Sequence, residues 1–228
     1  MTKTEYKQYG DIGVKTYIPN HAPMDAVIFA PGSFAIGGIY SWIGEALAER
    51  GYLTSIFTLG VYDIIPEWGV GFETALNHIQ LHYDVGNVYA AGHSMGANGA
   101  LIYMGENTDI TAITAIAPGW CKRPELPNCD LMNTACDFVT RPVQFIVGEK
   151  DEITGFADTM HHYGKMKQRK QKKVELIAMP GANHVHYING WIAWLYRIVM
   201  GDGRASVSIR KTHENTMIWM DDWMKRNR

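Results

Sequence analysis

Hydrophobic positions along this chain follow two patterns that take turns. Short apolar runs rich in β-branched and aromatic residues alternate with longer stretches of helical spacing, which predicts an α/β fold: a mostly parallel central sheet with helices on both faces. The strand-like runs are residues 13–18, 26–30, 53–59, 87–91, 112–117, 143–147 and 174–178, the first read as an antiparallel edge strand. Helical character marks residues 39–50, which stop at Gly51, residues 97–104, and the tail 211–228, where Met217, Met220 and Met224 recur beside Ile218, Trp219 and Trp223.

Most of these strands close on a glycine or proline, at Pro31-Gly32, Gly92, Pro118-Gly119, Gly148 and Pro180-Gly181. Ligands of open α/β sheets sit just beyond the carboxyl ends of the strands, so chemistry is expected at these corners. Residues 119–141 fit neither pattern and hold all three cysteines, which predicts an irregular insertion and a cover for the site. No linker, internal repeat or low-complexity tract divides the chain, and its 228 residues suit one domain over 1–228.

Composition then narrows the partners. An apolar fraction of 46% and a charged fraction of 19% are those of an ordinary globular protein. The 21 Lys and Arg against 23 Asp and Glu leave a net charge of -2, which gives no electrostatic case for nucleic acid or an anionic membrane. A small or neutral molecule is the expected partner, and no cofactor is called for. The start Met1-Thr2-Lys3-Thr4-Glu5-Tyr6 lacks the apolar core of a signal peptide, and no apolar run nears the length that spans a bilayer, so a cytoplasmic location is expected. Cys121, Cys129 and Cys136 allow at most one disulfide and leave a thiol. They have no C-x-x-C spacing, and His184 with His186 lacks a third ligand, so no metal site is expected. Trp191, Trp194, Trp219 and Trp223 offer aromatic surface for a homo-oligomer interface wherever they are exposed.

One corner carries a nucleophile. Gly92-His93-Ser94-Met95-Gly96 matches G-x-S-x-G between a strand and a small-residue helix. The turn must strain the serine backbone to lift Oγ above the sheet, and glycine at 92 and 96 avoids the resulting clashes. A serine hydroxyl needs a base, and the base needs an orienting carboxylate. Gly148-Glu149-Lys150-Asp151 and Gly181-Ala182-Asn183-His184 supply Asp151 and His184, with Glu149 and Glu152 as rivals to the acid and His186 as rival to the base. His93 reads as a packing residue, because the elbow turns neighbouring side chains apart, and His161-His162 as a solvated face. A tetrahedral intermediate also needs two donors for its oxyanion. The backbone N–H groups of Met95, after the nucleophile, and of Ser33, at the Pro31-Gly32 corner, are the candidates. Phe34, Trp120 and Ile153 are expected to wall the substrate pocket.

Taken together, Pro31-Gly32, Gly92-His93-Ser94-Met95-Gly96, Ala117-Pro118-Gly119-Trp120, Gly148-Glu149-Lys150-Asp151 and Gly181-Ala182-Asn183-His184 resemble the cutinase-like and dienelactone hydrolase-like branch of the α/β-hydrolase superfamily. That branch includes polyester-degrading cutinases and chlorophyllase-type esterases. The likeness runs from about residue 26 to residue 194, and the order Ser, Asp, His is the superfamily's own. It implies an α/β-hydrolase fold with no large cap domain, a triad of Ser94, Asp151 and His184, backbone donors at Ser33 and Met95, and hydrolysis of small to medium carboxylic esters through an acyl-enzyme. Polyesterases of the branch commonly place an aromatic residue directly after Pro-Gly, where this chain has Ser33. Dienelactone hydrolases proper use a cysteine nucleophile, so Ser94 favours esterase chemistry. The same triad also serves thioesterases, peptidases and acyltransferases, and the fold occurs as a silent ligand-binding form.

Overall fold

The computed structural model describes residues 2–22, 25–33, 37–59, 65–121, 128–169 and 173–228. Among them, strands β1 (Lys3–Tyr9), β2 (Ile12–Ile18), β3 (Asp25–Ala30), β4 (Tyr52–Thr58), β5 (Val88–His93), β6 (Ile110–Ile116), β7 (Val143–Gly148) and β8 (Val174–Met179) form one sheet in the order β1-β2-β4-β3-β5-β6-β7-β8. Neighbours from β4 through β8 are parallel, and β2 runs antiparallel to β1 and β4. The helices are α1 (Ser41–Glu49), α2 (Ile65–His82), α3 (Met95–Met104), α4 (Cys129–Asn133), α5 (Phe156–Gln168), α6 (Gly190–Met200) and α7 (Ile209–Arg226).

Because a parallel strand is covered on both faces, it reads as a continuous apolar run whose successive side chains enter different cores. In β3, Ala26, Ile28 and Ala30 join one core while Val27 and Phe29 join the other. The first is closed by Trp68 and Phe72 of α2, Leu101 of α3 and Met166 of α5. The second is closed by Ile43 and Leu47 of α1, Ala193 of α6, and Met220 and Trp223 of α7. Trp219 is partly buried against that second core and Trp194 is 62% exposed, while the Trp191 side chain lies outside the described ones. No helix among the described residues is long and apolar enough to cross a membrane.

The edge of the sheet is β1, not the run 13–18, which is the second strand. A left-handed Gly10 (φ 57°) turns the chain between the two. Apart from the half-buried Tyr9, the β1 side chains are exposed on both faces, so the strand buries no stripe that a periodicity would reveal. Lys3, Glu5 and Lys7 along it discourage pairing with another chain. Helix α2 does not stand out from the sequence because Gly69 and Gly71 weaken its propensity. The structure gives the reason for both: a Cβ at either position would enter the ring of Tyr103 or Phe57.

The insertion 119–141 is irregular apart from the short α4; residues 122–127 lie outside the described ones. Cys121 and Cys129 form a disulfide, and Cys136 is free and buried. Asn133 grips the Cys121 backbone from both sides, accepting from its N–H at 3.1 Å and donating to its carbonyl at 3.1 Å. A thiol titration in urea is therefore expected to find one reactive cysteine without reductant and three after reduction; three in both conditions would show that the bond does not form.

Candidate active site

Strand order reverses around β3, whose neighbours are β4 on one side and β5 on the other, and the crevice at such a switch point is where open α/β sheets hold ligands. Ser94 stands there, between β5 and α3, with φ 55° and ψ -125°, a conformation that an L-residue keeps only when its surroundings impose it. Its N–H donates to the Ile116 carbonyl at 2.9 Å and its own carbonyl accepts from Ala97 N–H at 3.0 Å, which pins the elbow between β6 and α3. Any Cβ on Gly92 would collide with the Gly96 carbonyl, and one on Gly96 with the carbonyls of Ala30 and Pro31.

The structure brings Asp151 and His184 to this serine. His184 Nε2 is 3.0 Å from Ser94 Oγ, and its Nδ1 is 2.9 Å from Asp151 Oδ2. Asp151 is buried at the end of β7, where Oδ1 accepts the N–H groups of Ile153 (3.1 Å) and Thr154 (2.9 Å) and Oδ2 also accepts the Thr154 hydroxyl (2.9 Å). Burial alone would raise its pKa; the neighbouring His184 and these donors outweigh that and hold it at about 2. Glu149 and Glu152 are exposed, and His186 faces α7 with Nδ1 3.5 Å from Thr212 Oγ1.

His93 packs as expected but also carries a hydrogen-bond chain that no local pattern announces. The Gly32 N–H donates to Tyr40 Oη at 3.1 Å, Tyr40 Oη is 2.7 Å from His93 Nδ1, and His93 Nε2 is 3.1 Å from the His184 carbonyl. A carbonyl only accepts, so Nε2 carries the proton and Nδ1 receives the tyrosine hydroxyl. Burial, reinforced by His184, keeps the His93 pKa well below its ordinary value, so this link is a neutral imidazole. It ties the Pro31-Gly32 corner to the loop that bears His184.

Ser33 and Met95 lie together on the serine side, with the Ser33 hydroxyl touching the Met95 sulfur. Gly32 fits closely here, since a Cβ on it would stand 3.1 Å from that of Ser94. As the first residue of α3, Met95 presents an N–H that has no acceptor within the helix.

Beside Ser94 and His184 a cavity of about 70 Å³ is walled by Ile39, Tyr40, Ile153, Val185, Ile188 and Tyr196. Of the expected wall residues, Ile153 lines it and Phe34 lies outside the described residues. Trp120 is not among the described residues that line this cavity: it is buried in the first core, donates Nε1 to Thr159 Oγ1 at 2.9 Å, and stacks on His162 with ring centroids 3.7 Å apart. The insertion as a whole contributes no described residue to the cavity. That stack also means His162 is not on a solvated face; its burial lowers its pKa to about 4. Val185 and Ile188 lie within four residues after His184, close enough to be suspected as walls, but nothing local marks Tyr196 on α6.

A family model described as PET hydrolase-like matches residues 5–226. Cutinase 1 of Thermobifida cellulosilytica is 26% identical over 195 residues, covering 78% of this chain and 70% of that protein. Among solved structures, Est1E from Butyrivibrio proteoclasticus is similar with a TM-score of 0.63 at 18% identity, over 87% of this chain and 96% of that one. TT1662 from Thermus thermophilus gives 0.66 at 16% identity, over 88% and 96%. Identities this low speak for the fold alone, which is that of the α/β-hydrolases, with no large cap domain among the described residues.

Proposed function

The chain belongs to the PET hydrolase-like family, and from that premise we propose that it is a serine carboxylic-ester hydrolase working through an acyl-enzyme. The observation that carries the reading is the unbroken line from Ser94 Oγ through His184 to Asp151, with contacts of 3.0 and 2.9 Å. As Ser94 Oγ attacks the ester carbonyl, His184 Nε2 takes its proton, and Asp151 stabilises the imidazolium through Nδ1–H. The N–H groups of Ser33 and Met95 hold the oxyanion. His184 then returns the proton to the departing alkoxide, and a water molecule repeats the cycle on the acyl-enzyme to release the acid.

The small, apolar cavity favours short acyl groups. With p-nitrophenyl esters graded by acyl length, kcat/KM is expected to be highest from acetate to butyrate and to decline beyond. A profile that is flat or rising up to palmitate would contradict the pocket assignment. Folded protein that turns over no ester and takes no fluorophosphonate label would remove the proposal. Adding an alcohol or a thioester to the same assay separates hydrolysis from acyl transfer and thioesterase activity on the same three residues. Disulfides persist in oxidising compartments, so a Cys121–Cys129 bond present on isolation without reductant would count against the expected cytoplasmic location.

A further inference from the structure

Helix α6 ends at Gly201 in the left-handed conformation (φ 68°), and the next N–H, that of Asp202, returns to the Arg197 carbonyl at 3.1 Å. This tight reversal sends the Asp202 side chain back beneath the site, where the residue is only 7% exposed. Its Oδ1 accepts the N–H of Glu152 at 3.2 Å and of Gly203 at 2.9 Å, and its Oδ2 accepts the N–H of Val185 at 3.1 Å. Glu152 follows Asp151 directly and Val185 follows His184 directly, so one carboxylate bridges the two loops that carry the acid and the base.

The neighbouring backbone repeats the connection. A Cβ on Gly203 would stand 2.5 Å from the Lys150 carbonyl, so this stretch lies hard against the acid loop. The Gly203 carbonyl accepts from Asn183 Nδ2 at 2.7 Å, and Ser206 N–H donates to the Gly181 carbonyl at 2.8 Å, both on the base loop. These loops leave different strands, β7 and β8, and the hydrogen bond between Asp151 and His184 depends on their relative placement. Asp151 and His184 are among the charged groups that act on Asp202, so its carboxyl group also lies within electrostatic reach of the triad.

We propose that Asp202 is a positioning residue that clamps the Asp151 and His184 loops in the geometry the reaction needs, an inference that rests on the triad assignment above. In Asp202→Asn the remaining carbonyl oxygen can still take two N–H donors, but an amide then faces the third and the charge is gone. The expected result is a folded variant whose KM for p-nitrophenyl acetate stays within about twofold while kcat falls about 10- to 100-fold, the size of loss that misplaced catalytic groups produce. Asp202→Ala, with no acceptor, is expected to lose more in kcat. In the proton NMR spectrum, the wild type is expected to show a low-field signal from the His184 Nδ1–H bonded to Asp151, and both variants are expected to broaden or lose it.

A merely structural residue would lower the melting temperature and leave kcat and that signal alone when measured on folded protein. That outcome overturns the inference. A wild type that hydrolyses no ester and takes no label overturns the proposed function instead, and the NMR comparison then still decides whether Asp202 holds the two loops together.

Discussion

Replacement of Ser94 by alanine is expected to lower kcat on p-nitrophenyl acetate by about 10⁴- to 10⁶-fold, the order of loss seen when single members of such a triad are deleted. The elbow that strains residue 94 is held by backbone contacts to Ile116 and Ala97, and these survive the change because alanine keeps Cβ and removes only Oγ. The fold, followed by circular dichroism, is therefore expected to be unchanged. A fluorophosphonate is expected to add its mass to the wild type and not to the variant. Activity within tenfold of wild type, or a label that persists in the variant, would place the nucleophile elsewhere.

The next largest effect is expected from Asp151→Asn, a loss of about 10⁴-fold in kcat. The physical reason lies in the donors around the carboxylate. Oδ1 takes two backbone N–H groups, so asparagine places its carbonyl there and its NH₂ at the Oδ2 position, facing His184 Nδ1. A donor at that point forces the imidazole proton onto Nε2, and Nε2 can then no longer accept the proton of Ser94. Kinetics at fixed pH measure this loss, and a variant retaining more than a tenth of wild-type kcat would refute the role.

The same residue makes a stability prediction. Asp151 titrates at about 2 in the folded protein against an ordinary value of 3.8, so its contribution is fully present above pH 4 and disappears as pH falls through about 2. The urea midpoint of the wild type is expected to drop across that window. Asp151→Asn, which cannot titrate, is expected to lack that part of the decline.

Contiguous features of this chain were legible at once. The tight turn at Gly92-His93-Ser94-Met95-Gly96 is a local steric requirement, and glycine or proline at successive strand ends marks each corner without knowledge of its neighbours. Continuous apolar runs announced the parallel strands, because a strand covered on both faces has no polar side. For the same local reason β1 escaped correct placement: its polar faces obey no burial period, and only pairing with β2 makes it the edge. Trp120 shows a different limit: an aromatic residue beside a strand corner reads as a pocket wall, and the contacts the structure gives it are instead with His162 and Thr159.

Residue types and order along the chain thus determined the α/β architecture, the elbow and the corners from which an acid and a base could come. Only the tertiary structure decided that Asp151 rather than Glu149 or Glu152, and His184 rather than His186, lies in line with Ser94. It alone revealed the Gly32–Tyr40–His93 link, the wall from Tyr196 and the Asp202 bridge. The reason is range: these contacts join side chains and backbone groups brought together by strand order and helix ends. Sequence spacing encodes the direction of a side chain within its own element, but not which distant element comes to meet it.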